Sequence, residues 1–204
     1  MIGHLDTSYL LVIIVSILIS LVIHEFMHAW VGHQLGDTTA QEEGRLTLNP
    51  LSHIDPLMTI ALPIITLIAF GAPVLAAKPV PFNPWRVKWG DYGSALIAAA
   101  GPLSNLALAF IGALLAKYII ISGFFYDALG VFVVLNVALF VFNLLPIPPL
   151  DGSRVLYAFA PESLRRIMEQ LEPIGLFIIF ALVLAGFGSF IGDINQMVLN
   201  ILPA

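Results

Sequence analysis

Apolar residues run along this chain in five long blocks separated by short polar stretches. The first block extends from about Tyr9 to Val31. As a helix rising about 1.5 Å per residue, it is long enough to span roughly 30 Å of hydrocarbon. A polar loop, Gly36–Asp55, follows and contains the strand-like piece Arg45–Leu48, which reads as a small β element after the first helix. The second block, Leu57–Ala76, is broken by Pro63, Gly71 and Pro73. The loop Lys78–Asp91 leads to a third block from about Ser94 to Ile121. Ser122, Gly123 and Asp127 mark a turn before the fourth, from about Ala128 to Leu145. The Pro-rich piece Pro146-Ile147-Pro148-Pro149 and an amphipathic stretch, Glu162–Glu172, precede the fifth, Ile174 to about Leu202.

Composition agrees with a bilayer as solvent. Hydrophobic residues make up 59% of the 204 and charged residues only 10%, against roughly 25% charged in soluble domains. The expected fold is an all-α polytopic membrane protein, with residues 1–204 as a single transmembrane domain. Residues 1–8 hold no Lys or Arg and no small-x-small site follows the first block, so that block reads as a retained helix and not as a cleaved leader. A net charge of -5 with eight Lys and Arg leaves no basic patch for nucleic acid. The absence of cysteine excludes thiolate metal ligands.

The few cations also suggest a topology. None precedes the first block, lies in the turn near Ser122, or follows the fifth block. Arg45, Lys78, Arg86, Lys88, Arg154, Arg165 and Arg166 occupy the other connections, and Lys117 sits near a helix end. Cationic connections face the cytoplasm. They all do so only if Leu57–Ala76 enters and leaves on one side. The expectation is therefore four transmembrane helices plus one re-entrant or membrane-embedded segment, in the cell membrane, with the termini outside and the chemistry toward the cytoplasmic side.

That chemistry begins at His24-Glu25-Phe26-Met27-His28. Histidines four apart on a helix share a face one turn apart and can bind one Zn²⁺. Glu25 is rotated aside, where it can reach a water at the metal as general base without ligating. Three ionisable groups in an apolar run cost several kcal/mol unless paired or coordinated. A third ligand is needed. His33 lies about 140° off the ligand face, which leaves His53, Asp55 and Asp151 as candidates. Asn105, Asn143 and His53 are candidate donors to an oxyanion or to the substrate. Asn105 serves equally as packing glue beside the small residues Ala98–Gly101 and Ser104.

Three ordered motifs carry a resemblance. The chain resembles the site-2 proteases, the intramembrane zinc metalloproteases of peptidase family M50. His24-Glu25-x-x-His28 is similar to that family's H-E-x-x-H, Gly101 to Asn105 to its G-x-x-x-N, and Asn143 to Gly152 to its N-x-x-P-x-P-x-L-D-G. The resemblance implies that His24, His28 and Asp151 hold one zinc, that Glu25 is catalytic, and that Asn143 helps hold the substrate strand. It also implies single-span membrane proteins as substrates, and a short prokaryotic form without PDZ or CBS domains. Arg45–Leu48 is then a candidate edge strand for the substrate, and Leu57–Ala76 a candidate gate.

Other chemistries fit less well. No G-x-S stands in the chain for a serine protease, and Gly186-Phe187-Gly188 is followed by Ser189 where an aspartyl protease needs Asp. A zinc transporter or a non-proteolytic membrane binding protein is the alternative of another class. A transporter has no use for Glu25 as a non-ligand carboxylate and is expected to show two related halves, which the sequence lacks.

Overall fold

The computed structural model describes residues 7–54, 80–119 and 122–203. In chain order its helices are α1 (Thr7–Gln34), a single turn α2 (Thr39–Glu42), α3 (Asp91–Tyr118), α4 (Phe124–Asn143), α5 (Asp151–Phe159), α6 (Glu162–Leu171), α7 (Gly175–Leu182) and α8 (Gly188–Ile201). Among the described residues, four helical stretches are long and apolar enough to cross a membrane: α1, α3, α4 and the run Glu162–Ile201. The Leu57–Ala76 segment, expected to re-enter, lies outside the described residues.

α1 is built inside out relative to a helix of a soluble protein. Ser16, Ser20, His24, His28 and Gly32 recur every four residues and are buried. Leu10, Leu11, Ile14, Val15, Leu18 and Ile19 point outward. Lipid is as apolar as any protein core, so the outer face is the greasy one and polar groups turn toward other helices. Ser20 returns its hydroxyl to the Ser16 carbonyl at 2.7 Å.

α3 is the central helix and packs against α1, α4 and α5. Most of its buried face is made of small residues, Gly93, Ala95, Ala98, Ala100, Gly101, Ala109, Gly112 and Ala113, with Ile97, Pro102 and Asn105 among them. Small side chains let helix backbones approach closely where no hydrophobic effect drives them together. At Gly112 an added Cβ would stand 2.8 Å from a methyl of Val133. Around Ala109, Ala113, Val133, Val137 and Val141 the core is completed by Ile191, Ile194, Val198 and Leu199 of the last span. That span is not one straight helix. Val183–Phe187 forms a wide turn in which Gly186 takes φ 89°.

The expected β element is absent. Arg45–Leu48 has no strand pairing, and the described residues hold no strand. Local hydrogen bonds curl this loop instead. The Arg45 amide donates to Ala40 at 2.7 Å, the Asn49 amide to Thr47 Oγ1 at 3.1 Å, and the Leu51 amide to Asn49 Oδ1 at 3.1 Å. Short polar side chains that bond nearby backbone compete with extended structure, and a strand needs a ladder partner to satisfy its amides.

Candidate metal centre

The buried stripe of α1 delivers two imidazoles one turn apart, with His24 4% and His28 9% exposed. Their Nε2 atoms are 3.0 Å apart. The third group arrives from a distant part of the chain. After α4 ends at Asn143, residues 144–150 fold back without helix and Asp151 opens α5. The reversal is tight: a Cβ at Gly152 would overlap the carbonyl of Leu144. It places Asp151 Oδ2 3.2 Å from His24 Nε2 and 3.3 Å from His28 Nε2.

These residues fit a zinc ion. Ligands at about 2.0–2.1 Å in tetrahedral array stand about 3.3–3.4 Å from one another, close to the triangle seen here. The donor chemistry agrees. His28 Nδ1 lies 2.7 Å from the backbone carbonyl of Ile97, which can only accept, so the proton is on Nδ1 and Nε2 presents a lone pair. A carboxylate oxygen beside two imidazole nitrogens calls for a positive charge among them. His24, His28 and Asp151 form the one such ligand group among the described residues.

Two features shape the space around the triangle. Gly101 of α3 passes directly over it: a Cβ there would meet His28 Nε2 and stand 2.6 Å from His24 Nε2. Glu25, 7% exposed, stays out of the ligand triangle. Its Oε2 accepts from the Val80 amide at 3.2 Å. Val80 is held there by the loop that follows it. Asp37, 2% exposed, accepts from the Asn83 amide at 2.7 Å, and the Lys88 amide donates to Leu35 at 2.9 Å.

The other candidate residues are distributed differently. Asn105 is fully buried. Its Oδ1 lies 2.6 Å from His24 Nδ1, and its Nδ2 donates to Asn136 Oδ1 at 3.0 Å and to the Ser20 carbonyl at 3.4 Å. Its amide is thus committed to the bundle interior. Asn143, half-buried at the end of α4, donates to the Leu139 carbonyl at 3.0 Å. His53 is buried in the loop, its Nε2 2.8 Å from the Thr47 carbonyl, and is not part of the metal triangle. Asp55 lies outside the described residues. Sequence reasoning passed over Asn136, the Ile97 carbonyl and the Val80 amide. Only Asn136 left a trace, as a lone amide inside an apolar run.

A cavity of about 450 Å³ is lined in part by Phe82, Trp85, Pro148, Arg154, Tyr157 and Glu169, and by none of His24, Glu25, His28 and Asp151. Arg154 stacks over the Phe82 ring at 5.0 Å.

Fold and site together define a class, a metal-dependent hydrolase whose ligands project from membrane-spanning and adjoining helices. Comparison with known proteins agrees. The profile of peptidase family M50 matches residues 121–186. YwhC of Bacillus subtilis, which carries the provisional name zinc metalloprotease, is 36% identical over 190 residues, covering 88% of this chain and 83% of that protein. Rip2 of Mycobacterium tuberculosis, provisionally named in the same way, is 30% identical over 85% of this chain and 66% of its own length. MJ0611 of Methanocaldococcus jannaschii, also so named, is 34% identical over 72% of this chain and 71% of its own length. No solved structure matches the chain. The protein is a multi-pass membrane zinc metalloprotease and belongs to peptidase family M50.

Proposed function

We propose that this metalloprotease cuts peptide bonds within the bilayer, in single-span membrane proteins, in the manner of a short site-2 protease. The observation that carries the reading is the convergence of His24, His28 and Asp151 on one point inside the helix bundle, with Glu25 beside it. Zinc, when bound, supplies Lewis acidity toward the scissile carbonyl and makes water nucleophilic at neutral pH. His24, His28 and Asp151 would hold the ion. Glu25 takes a proton from the attacking water and returns it to the leaving amine. The Val80 N–H engages Oε2, keeps the carboxylate off the metal triangle and leaves Oε1 for proton transfer. Asn143 and His53 are the donors left to steady the substrate strand or the oxyanion.

A membrane helix hides its peptide bonds, so the substrate must unwind before it reaches Glu25. The described cations support a cytoplasmic placement of the site in the cell membrane. Arg86 pairs with Glu42 and Arg165 with Asp91, in the connections at the metal-bearing end of the bundle. Tyr9 meets Asp127 at the opposite end.

The test uses the protein purified in detergent as wild type and as Glu25→Gln, with zinc per chain measured and both incubated with a panel of single-span proteins. Zinc in both with cleavage by wild type alone supports the reading. No zinc in the wild type overturns it, and ion flux in liposomes without cleavage supports the transporter alternative.

A further inference from the structure

His24 and His28 need the same tautomer, with the proton on Nδ1 and the Nε2 lone pair toward the metal. For His28 the backbone enforces it, because the Ile97 carbonyl at 2.7 Å can only accept. For His24 the neighbour is an amide side chain, Asn105, which could in principle present either end. If its NH₂ faced His24, the imidazole proton would move to Nε2 and point at the metal site.

The chain of contacts beyond Asn105 decides which end it shows. Asn136, fully buried on α4, has one end 2.9 Å from the carbonyl of Phe132 on its own helix. That carbonyl cannot donate, so this end is the NH₂ and the opposite end is Oδ1. Oδ1 lies 3.0 Å from the Asn105 amide, so the end of Asn105 facing it is its NH₂. The same NH₂ faces the Ser20 carbonyl at 3.4 Å, a second pure acceptor. Asn105 Oδ1 therefore faces His24 Nδ1 at 2.6 Å, and His24 Nδ1 carries the proton. Every end is fixed by a group that cannot reverse its role.

We infer that Asn136 is a positioning residue for the metal centre: acting through Asn105, it relays the polarity of the Phe132 carbonyl to His24 and so sets the tautomer that frees Nε2 for zinc. The hydrogen bonds of Asn136 go to Asn105 and the Phe132 carbonyl, and it is not one of the three metal ligands. It is buried between helices in a region with no water to replace a lost partner, so a leucine there leaves the Asn105 NH₂ with only the longer Ser20 contact. Outer partners of metal-bound histidines are worth about 10–100-fold in metal affinity.

The inference rests on the assignment of His24 as a zinc ligand, and its test separates the two. Zinc affinity is measured by chelator competition for wild type, Asn136→Leu, Asn105→Asp and the double variant. A carboxylate at position 105 accepts from His24 Nδ1 whichever way it is turned, so it no longer needs Asn136. The expected result is a loss of about 10-fold or more in Asn136→Leu, with the double variant binding zinc as well as Asn105→Asp alone. An equal loss from Asn136→Leu in both backgrounds would assign Asn136 to packing and overturn the relay, as would unchanged affinity in Asn136→Leu. Wild type that binds no zinc would instead overturn the ligand assignment. A measurement that needs no variant at the relay is ¹⁵N-histidine NMR of the zinc-loaded wild type. It is expected to show both metal-bound histidines coordinated through Nε2 and protonated at Nδ1, and a ligand histidine coordinated through Nδ1 overturns the inference even if Asn136→Leu fails to fold.

Discussion

His24 Nε2 stands 3.2 Å from Asp151 Oδ2, although one residue lies deep in α1 and the other opens α5. The contact exists because α3 packs against both helices. Asp151→Ala is expected to remove one of the three ligands and drop zinc below one per chain at any chelator concentration the wild type tolerates. Metal analysis after dialysis checks it. Retained stoichiometric zinc would move the third ligand elsewhere.

Glu25→Gln keeps the shape of the side chain and removes its basicity. Zinc content should stay at the wild-type level while cleavage falls by about 10²–10⁴-fold, the usual contribution of a general base. A parallel loss of zinc would mean that Glu25 supports the metal and not the proton transfer.

Gly101→Ala places a methyl where the Nε2 atoms of His24 and His28 already stand. Either α3 shifts or the imidazoles turn, at a cost of about 1–3 kcal/mol. Weaker zinc binding and a lower unfolding temperature are expected. Gly130→Ala is the control, since nothing lies within 4 Å of a Cβ there. Equal behaviour of the two variants would argue against the close approach.

Val80→Pro deletes the backbone N–H that Glu25 Oε2 accepts. Hydrogen bonds to charged groups are worth about 1.5–3 kcal/mol, so kcat should fall about 10–100-fold with zinc affinity unchanged. Steady-state kinetics beside a zinc titration make the distinction. A proline that leaves kcat intact would show that the amide is a bystander.

The Thr38 hydroxyl, and after it the Arg86 guanidinium, hold the Glu42 carboxyl below its ordinary value. A folded value below the unfolded one means that this contact stabilises the loop at neutral pH and fades as pH falls through the folded value. Both partners are exposed, so the effect is small. On acidification wild type should lose slightly more thermal stability than Glu42→Gln. A larger loss in the variant would reverse the sign.

Much of the architecture was legible because helices in lipid are written locally. The apolar blocks foretold α1, α3 and α4 to within about four residues and the apolar part of the last span from Ile174 onward, although its helical run begins at Glu162, and the four-residue recurrence of Ser16, Ser20, His24 and His28 marks the inward face. The same local reading failed at Arg45–Leu48, where propensity suggested a strand and hydrogen bonds accepted by the Thr47 and Asn49 side chains curled the loop instead. Strand formation depends on a partner, which no local pattern contains.

For the candidate site, the sequence alone determined that His24 and His28 share a helix face, since a turn of 3.6 residues leaves no other outcome. It determined the order of the three motifs as well. Reading from spacing left His53, Asp55 and Asp151 open as the third ligand, and left Asn105 divided between chemistry and packing. Only the tertiary structure brought Asp151 to the imidazoles, turned Asn105 toward His24 with Asn136 behind it, and laid the Val80 amide on Glu25. These are contacts between elements distant in the chain, and they depend on how closely the small residues of α3 let its neighbours approach, which helical periodicity does not encode.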